Sequence, residues 1–147
     1  MFEAAFAETI GHELFPGFVN KSSDKGGLTV AGITFRDNSE WSGWPLVDAV
    51  LKVLSLTREG TRDCGAAIQK RIDGELAKSA SLLALVKLRY HDRYWLPLGL
   101  DADPVAAAKK VFDACVNMGQ KPALAAMRGA RERILAEHKR LGLEEVG

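Results

Sequence analysis

A mainly α fold of the α+β kind, in which a helical domain carries a small β-hairpin flanking a cleft, is what this sequence predicts. Three observations predict it. Apolar residues recur three and four positions apart over most of the chain, the period of an amphipathic helix. One stretch, Phe18 to Ala31, breaks that rhythm: two short β-prone segments enclose the turn-forming run Lys21-Ser22-Ser23-Asp24-Lys25-Gly26-Gly27. At 147 residues and 47% hydrophobic content the chain can bury a real core, so residues 1–147 are expected to form a single domain. A net charge of +1 argues against nucleic-acid binding, which needs a concentrated basic face. No uninterrupted apolar run reaches membrane-spanning length, so stable membrane insertion is not expected.

The first helix sets up the chemistry. Phe2, Phe6, Thr9 and Glu13 are spaced four, three and four apart and would share one face, flanked by Ile10 and Leu14, until Pro16 ends the helix. A carboxylate on an apolar stripe costs free energy unless it is paired or protonated. A glutamate with a raised pKa suits a general acid near neutral pH. The plain alternative is a solvated Glu13 at a helix end. Phe18-Val19-Asn20 and Leu28-Thr29-Val30-Ala31 then read as the two strands of an irregular hairpin, with Gly32 opening the next segment. Asp24 in its turn and Thr29 on its returning strand would face Glu13 across the cleft.

The remaining elements follow in order. Trp41-Ser42-Gly43-Trp44 offers either a sugar-stacking platform or a cap on the core. Pro45 opens a helix whose inner face is Leu46, Val50, Val53 and Leu54, ended by Arg58-Glu59-Gly60. Cys64, Ala67, Ile68 and Ile72 mark the next, which Asp73-Gly74 interrupts. Leu83, Val86, Tyr90 and Tyr94 line a third, ending at Trp95-Leu96-Pro97. His91 and Asp92 on it are neighbours that should not face each other, with His91 solvated. Asp103-Pro104 starts a central helix, cap then Pro, built on Val105, Ala108, Val111, Phe112 and Cys115. Asn117 at its end either lines the cleft or makes a helix-terminal hydrogen bond beside Gly119. Pro122 begins the last helix, with Leu124, Met127, Ile134, Leu135 and Leu141 inward and Arg128, Arg131 and Arg133 on a solvated face among glutamates. Cys64 and Cys115 have no metal-ligand spacing; two buried thiols are expected, with one disulfide the alternative.

These residues together resemble the glycoside hydrolase family 108 muramidases, lysozyme-like endolysins and secretion-associated peptidoglycan hydrolases. The family pattern is roughly H-E-G-G-Y-V-N, D-x-G-G-x-T and G-I-T. His12-Glu13, Gly17-Phe18-Val19-Asn20, Asp24, Gly26-Gly27, Thr29 and Gly32-Ile33-Thr34 match it. Leu14-Phe15-Pro16 stands where the family has a shorter glycine link, and Ala31 where an aromatic is common. A W-x-G-W element, Tyr90 to Trp95 as Y-x-x-x-Y-W, and Phe112 to Gly119 as F-D-x-x-V-N-x-G extend the likeness over roughly residues 2–44, 85–100 and 104–125.

The resemblance implies a lysozyme-like fold that cleaves the β-1,4 bond between N-acetylmuramic acid and N-acetylglucosamine in peptidoglycan glycan strands. Glu13 would be the catalytic acid. Asp24 would steady the developing charge or orient a water, and Thr29, Asn20 and Asn117 would bind substrate. No metal or organic cofactor is implied. The segment MFEAAFAETIGHEL lacks a basic signal region and carries Glu3 and Glu8, so a protein made in the cytoplasm and acting on the wall after release, with a holin for export, is expected. It is expected to be a monomer without a separate C-terminal wall-binding module. Other classes are a catalytically silent peptidoglycan-binding or secretion-accessory protein, a lytic transglycosylase, and a helical regulatory or nucleic-acid-binding protein.

Overall fold

Six α-helices and a small three-stranded antiparallel sheet form the framework of the described residues, a mainly α fold as predicted. The computed structural model describes residues 1–11, 15–118 and 122–142. The chain divides into two compact units, Met1–Gly11 with Leu88–Gly147, and His12–Lys87.

The first unit is organised around Phe112, whose side chain is fully buried on helix α5 (Val105–Asn117). Ala107, Ala108, Val111, Phe112 and Cys115 form the inner face of α5, and its small residues let helices α1 (Phe2–Thr9) and α6 (Leu124–Arg140) pack closely on either side. The central role expected for this helix is thus observed, although Val105 is only half-buried. Around Phe112 the rings of Phe2, Tyr90, Tyr94 and Trp95 meet it edge to face, with centroids 5.6 to 6.5 Å apart. Burial pushes the Cys115 thiol up to about 11 and raises the Tyr90 and Tyr94 hydroxyls.

Three expectations change here. Helix α1 closes at Thr9, with Ile10 as its cap and Gly11 in the left-handed region at φ +53. The helix is thus shorter than the one predicted to run on to Pro16; Glu13, which was to continue the face of Phe2, Phe6 and Thr9, lies outside the described residues. Asp103 does not cap α5. Its carboxylate, 8% exposed, takes a bidentate pair of hydrogen bonds from Arg131 of α6 at 2.6 and 2.8 Å, so Arg131 is not simply solvated. On α6 the buried positions are Met127, Ala130 and His138, whereas Leu124 and Leu141 are exposed.

The second unit holds the sheet. Strand β1 (Val19–Asn20) pairs with β2 (Leu28–Val30), which pairs with β3 (Ile33–Thr34). The expected two-stranded hairpin thus gains a third strand. Gly32 does not open a new segment but completes a two-residue turn with Ala31, both at positive φ (50 and 78), the arrangement whose twist matches antiparallel strands. Helix α2 (Trp44–Val53) buries Trp44, Val47 and Leu51 and leaves Val53 exposed, so its inner face is rotated from the predicted one. It packs on α3 (Ala66–Leu76), which runs through Asp73-Gly74 without a break and buries Ile72 and Leu76. Helix α4 (Ala80–Tyr90) buries Leu82 and Val86, where Leu83 was expected. Cys64, in this unit, is a half-exposed free thiol rather than a buried one. No described helix is long and apolar enough to cross a membrane.

Candidate functional site

The turn between β1 and β2 is built from two consecutive hydrogen-bonded turns, Asp24 N–H to the Lys21 carbonyl and Gly27 N–H to the Asp24 carbonyl, both 3.1 Å. Gly27 sits at φ +58. Gly26 lies against Thr34, so close that a Cβ there would come within 2.8 Å of the Thr34 methyl group. The Asp24 carboxylate is left exposed at the tip.

A second loop, 57–63, is stapled to this turn. The Asn20 side-chain amide donates to the Arg58 carbonyl at 3.0 Å and to the Thr61 hydroxyl at 3.1 Å, and the Asn20 carbonyl accepts the Asp63 N–H at 2.7 Å. Asp63 in turn accepts the Ser22 hydroxyl at 2.6 Å and the Ser22 N–H at 2.9 Å. Those two bonds, the hydroxyl first, hold its carboxyl below the usual aspartate value. Arg58 is fully employed, bidentate on Asp48 at 2.7 and 2.8 Å and stacked 4.5 Å over the Phe35 ring.

Between turn and loop lies a cavity of about 520 Å³. Asn20, Ser22 and Asp24 line it with the backbone of Gly26 and Gly27, and Lys21, Lys25, Arg36, Arg58 and Arg62 give it a basic rim that Glu59 interrupts. Open, of this size, and with charged and amide side chains set beside Leu28 and Phe35, it suits an amphipathic ligand such as a sugar unit. The strand entering it is held from behind. On α3, one turn apart, Asp73 accepts the Phe18 N–H at 2.9 Å and Gln69 donates to the Phe18 carbonyl at 3.3 Å. Burial raises the Asp73 pKa, against the opposing pull of that N–H.

The structure thus brings Asn20 and Asp24 to one cavity. Thr29 stands on β2 beside it, opposite Val19, with its hydroxyl donating to the Gly27 carbonyl at 3.0 Å. Asn117 belongs to the other unit, where its amide donates to Asp113 one turn earlier at 3.3 Å. Glu13 lies outside the described residues. The two tryptophans are core rather than platform: Trp41 and Trp44 are buried edge to face at 5.2 Å, and the Trp44 N–H bonds the Asn38 carbonyl at 2.7 Å. Gly43 fits beneath the Trp41 ring, where a Cβ would meet it at 2.4 Å. His91 is half-buried, edge to face with Phe2 at 5.0 Å, and its Nδ1 lies 3.2 Å from the Asp92 carboxylate, a contact not expected of helical neighbours. The chain has a π-helical turn there, His91–Trp95.

Asp63, Ser22, Gln69 and Asp73 escaped the sequence reading as site-forming residues. Asp63 carried one usable signal, since an Asp flanked by Arg62 and Cys64 with no apolar period suggests a turn at positive φ, which it adopts at 56.

Neither a curated protein nor a solved structure matches this chain significantly. The family described as Glycosyl hydrolase 108 matches residues 6–119, a span that includes the turn, its stapling loop and all of α5. The chain therefore belongs to glycosyl hydrolase family 108.

Proposed function

We propose that this protein is a peptidoglycan hydrolase of the N-acetylmuramidase type. The observation that carries the reading is the family match, whose span includes both Glu13 and Asp24. Support comes from the sugar-sized cavity on whose rim the Asp24 carboxylate stands exposed.

In this mechanism Glu13 protonates the glycosidic oxygen as the bond to the leaving sugar breaks and positive charge grows on the ring. Asp24 steadies that charge or orients the attacking water. Asn20 and Thr29 keep the turn in shape for substrate. In this reading the protein leaves the cytoplasm with the help of a holin and acts on the wall as a monomer.

Turbidity clearing of purified sacculi by wild type and by Glu13→Gln tests it, with mass spectrometry of the released fragments. Clearing by wild type alone, giving reducing muramic acid ends, is expected. Equal clearing by both proteins rejects Glu13 as the acid, and anhydro-muramic ends would make the enzyme a lytic transglycosylase. The longer Leu14-Phe15-Pro16 link favours a second reading, a silent wall-binding protein, which predicts sedimentation with sacculi and no clearing.

A further inference from the structure

Five of the chain's 20 lysines and arginines line the cavity, against two of its 19 carboxylates, in a protein of almost balanced charge. A neutral sugar does not need that excess. Two of the five are already spent, Arg58 on Asp48 and Arg62 on Glu59 at 3.2 Å. Lys21 is close enough to Asp63 to help keep that carboxylate ionised. Lys25 and Arg36 remain, neither paired with a carboxylate among the described residues. They are tied to each other instead, because Arg36 Nη1 donates to the Lys25 carbonyl at 3.1 Å and so fixes its guanidinium beside the turn. Two cations held at the cavity, neither in an ion pair with a described carboxylate and outnumbering its one uncommitted carboxylate, Asp24, form an anion-recognition site.

We propose that Lys25 and Arg36 bind the carboxylates carried by peptidoglycan, on the lactyl group of muramic acid or on its peptide stem, and so select acidic wall strands over neutral amino-sugar polymers. This rests on the reading of peptidoglycan as substrate. A nucleic-acid backbone fits less well, because the basic lining is confined to one cavity rather than spread along a stripe that could follow successive phosphates.

The test is cosedimentation on ice of the wild-type protein with purified sacculi, and with sacculi whose carboxylates have been converted to neutral amides. Affinity is expected to fall about tenfold on amidation. Lys25→Gln/Arg36→Gln should show the same loss on native sacculi and no further loss on amidated ones. Equal wild-type affinity for both preparations, no sedimentation with either, or a loss in the double variant that is the same on both overturns the proposal. Retention of a single-stranded oligonucleotide as tight as that of native sacculi overturns it as well. The wild-type comparison does not depend on the variant folding. The clearing assay separates the two readings: carboxylate-dependent binding by a protein that never clears removes the hydrolase and leaves this site, whereas clearing with binding indifferent to amidation does the reverse.

Discussion

Asp63 grips Ser22 through both hydroxyl and backbone N–H, at 2.6 and 2.9 Å, across 41 positions of sequence. These bonds, with the Asp63 N–H on the Asn20 carbonyl, are what join the loop 57–63 to the turn that carries Asp24. Asp63→Ala should therefore leave a folded protein with a loosened cavity wall. The expected result is a fall in kcat/KM on sacculi of about tenfold, most of it in KM. Unchanged kinetics would show that the staple does not shape the site. Because the Asp63 carboxyl is held below 3.8, its contribution to stability is present above that value and is lost as pH falls through its lower folded pKa. Asp63→Asn should flatten the acid limb of the stability profile.

Asp73 has the opposite sign. Its carboxyl is raised above 3.8 by burial, so the native state holds the proton more tightly than the unfolded chain. The stability this group adds is full below 3.8 and disappears as pH rises through the raised value. Asparagine can still accept the Phe18 N–H but never ionises. The stability of Asp73→Asn relative to wild type should therefore increase as pH rises from 3.8 through the raised value, measured by chemical denaturation. A constant difference would contradict it. Asp73→Ala, by contrast, leaves the Phe18 N–H without its acceptor and should cost about 1–3 kcal/mol.

Gly26→Ala introduces a methyl group 2.8 Å from the Thr34 Cγ2 and 3.5 Å from the Thr29 hydroxyl. A loss of about 1–3 kcal/mol is expected, with displacement of the Asp24 tip and a matching loss of activity. Thr34→Ser removes only that methyl and keeps the hydroxyl. The double variant Gly26→Ala/Thr34→Ser should then be more stable than the sum of the single effects predicts. Strict additivity would place the strain elsewhere.

Arg131→Ala strands the buried Asp103 carboxylate. The cost should be about 2 kcal/mol, toward the low end for a broken buried pair because the guanidinium is 31% exposed. Adding Asp103→Asn should recover part of it, since the lone charge is then gone. No recovery would mean that Arg131 acts through packing of its stem and not through its charge.

The strongest periodic segments and the most turn-like composition were readable from sequence; what depended on distant partners was not. Val111, Phe112 and Cys115 fell where their period put them, because an Ala-rich helix with one apolar stripe has one way to bury it. The Asp24 turn was visible in its Ser-Ser-Asp-Lys-Gly-Gly composition. Ile33–Thr34 was missed as a strand because two residues show no alternation and because Ala31, not a second glycine, adopts positive φ before Gly32. Helix α2 was found, but Trp44, Val47 and Leu51 face inward rather than Leu46, Val50 and Val53, since both sides carry apolar residues and only tertiary packing chooses between them. Asp63 to Ser22 and Arg131 to Asp103 are contacts between remote positions, which single-chain periodicity does not encode.

The chain has three tryptophans, and they are shared unevenly between its units: Trp95 is buried against Phe112 in one, Trp41 and Trp44 against each other in the other. Replacing Trp95 by phenylalanine leaves an emission signal that originates only in the sheet-bearing half, and replacing the other pair leaves one that originates only in the aromatic helical half. The protein thus has built-in optical reporters with which the melting of each half can be followed separately and its cooperativity measured without any added label.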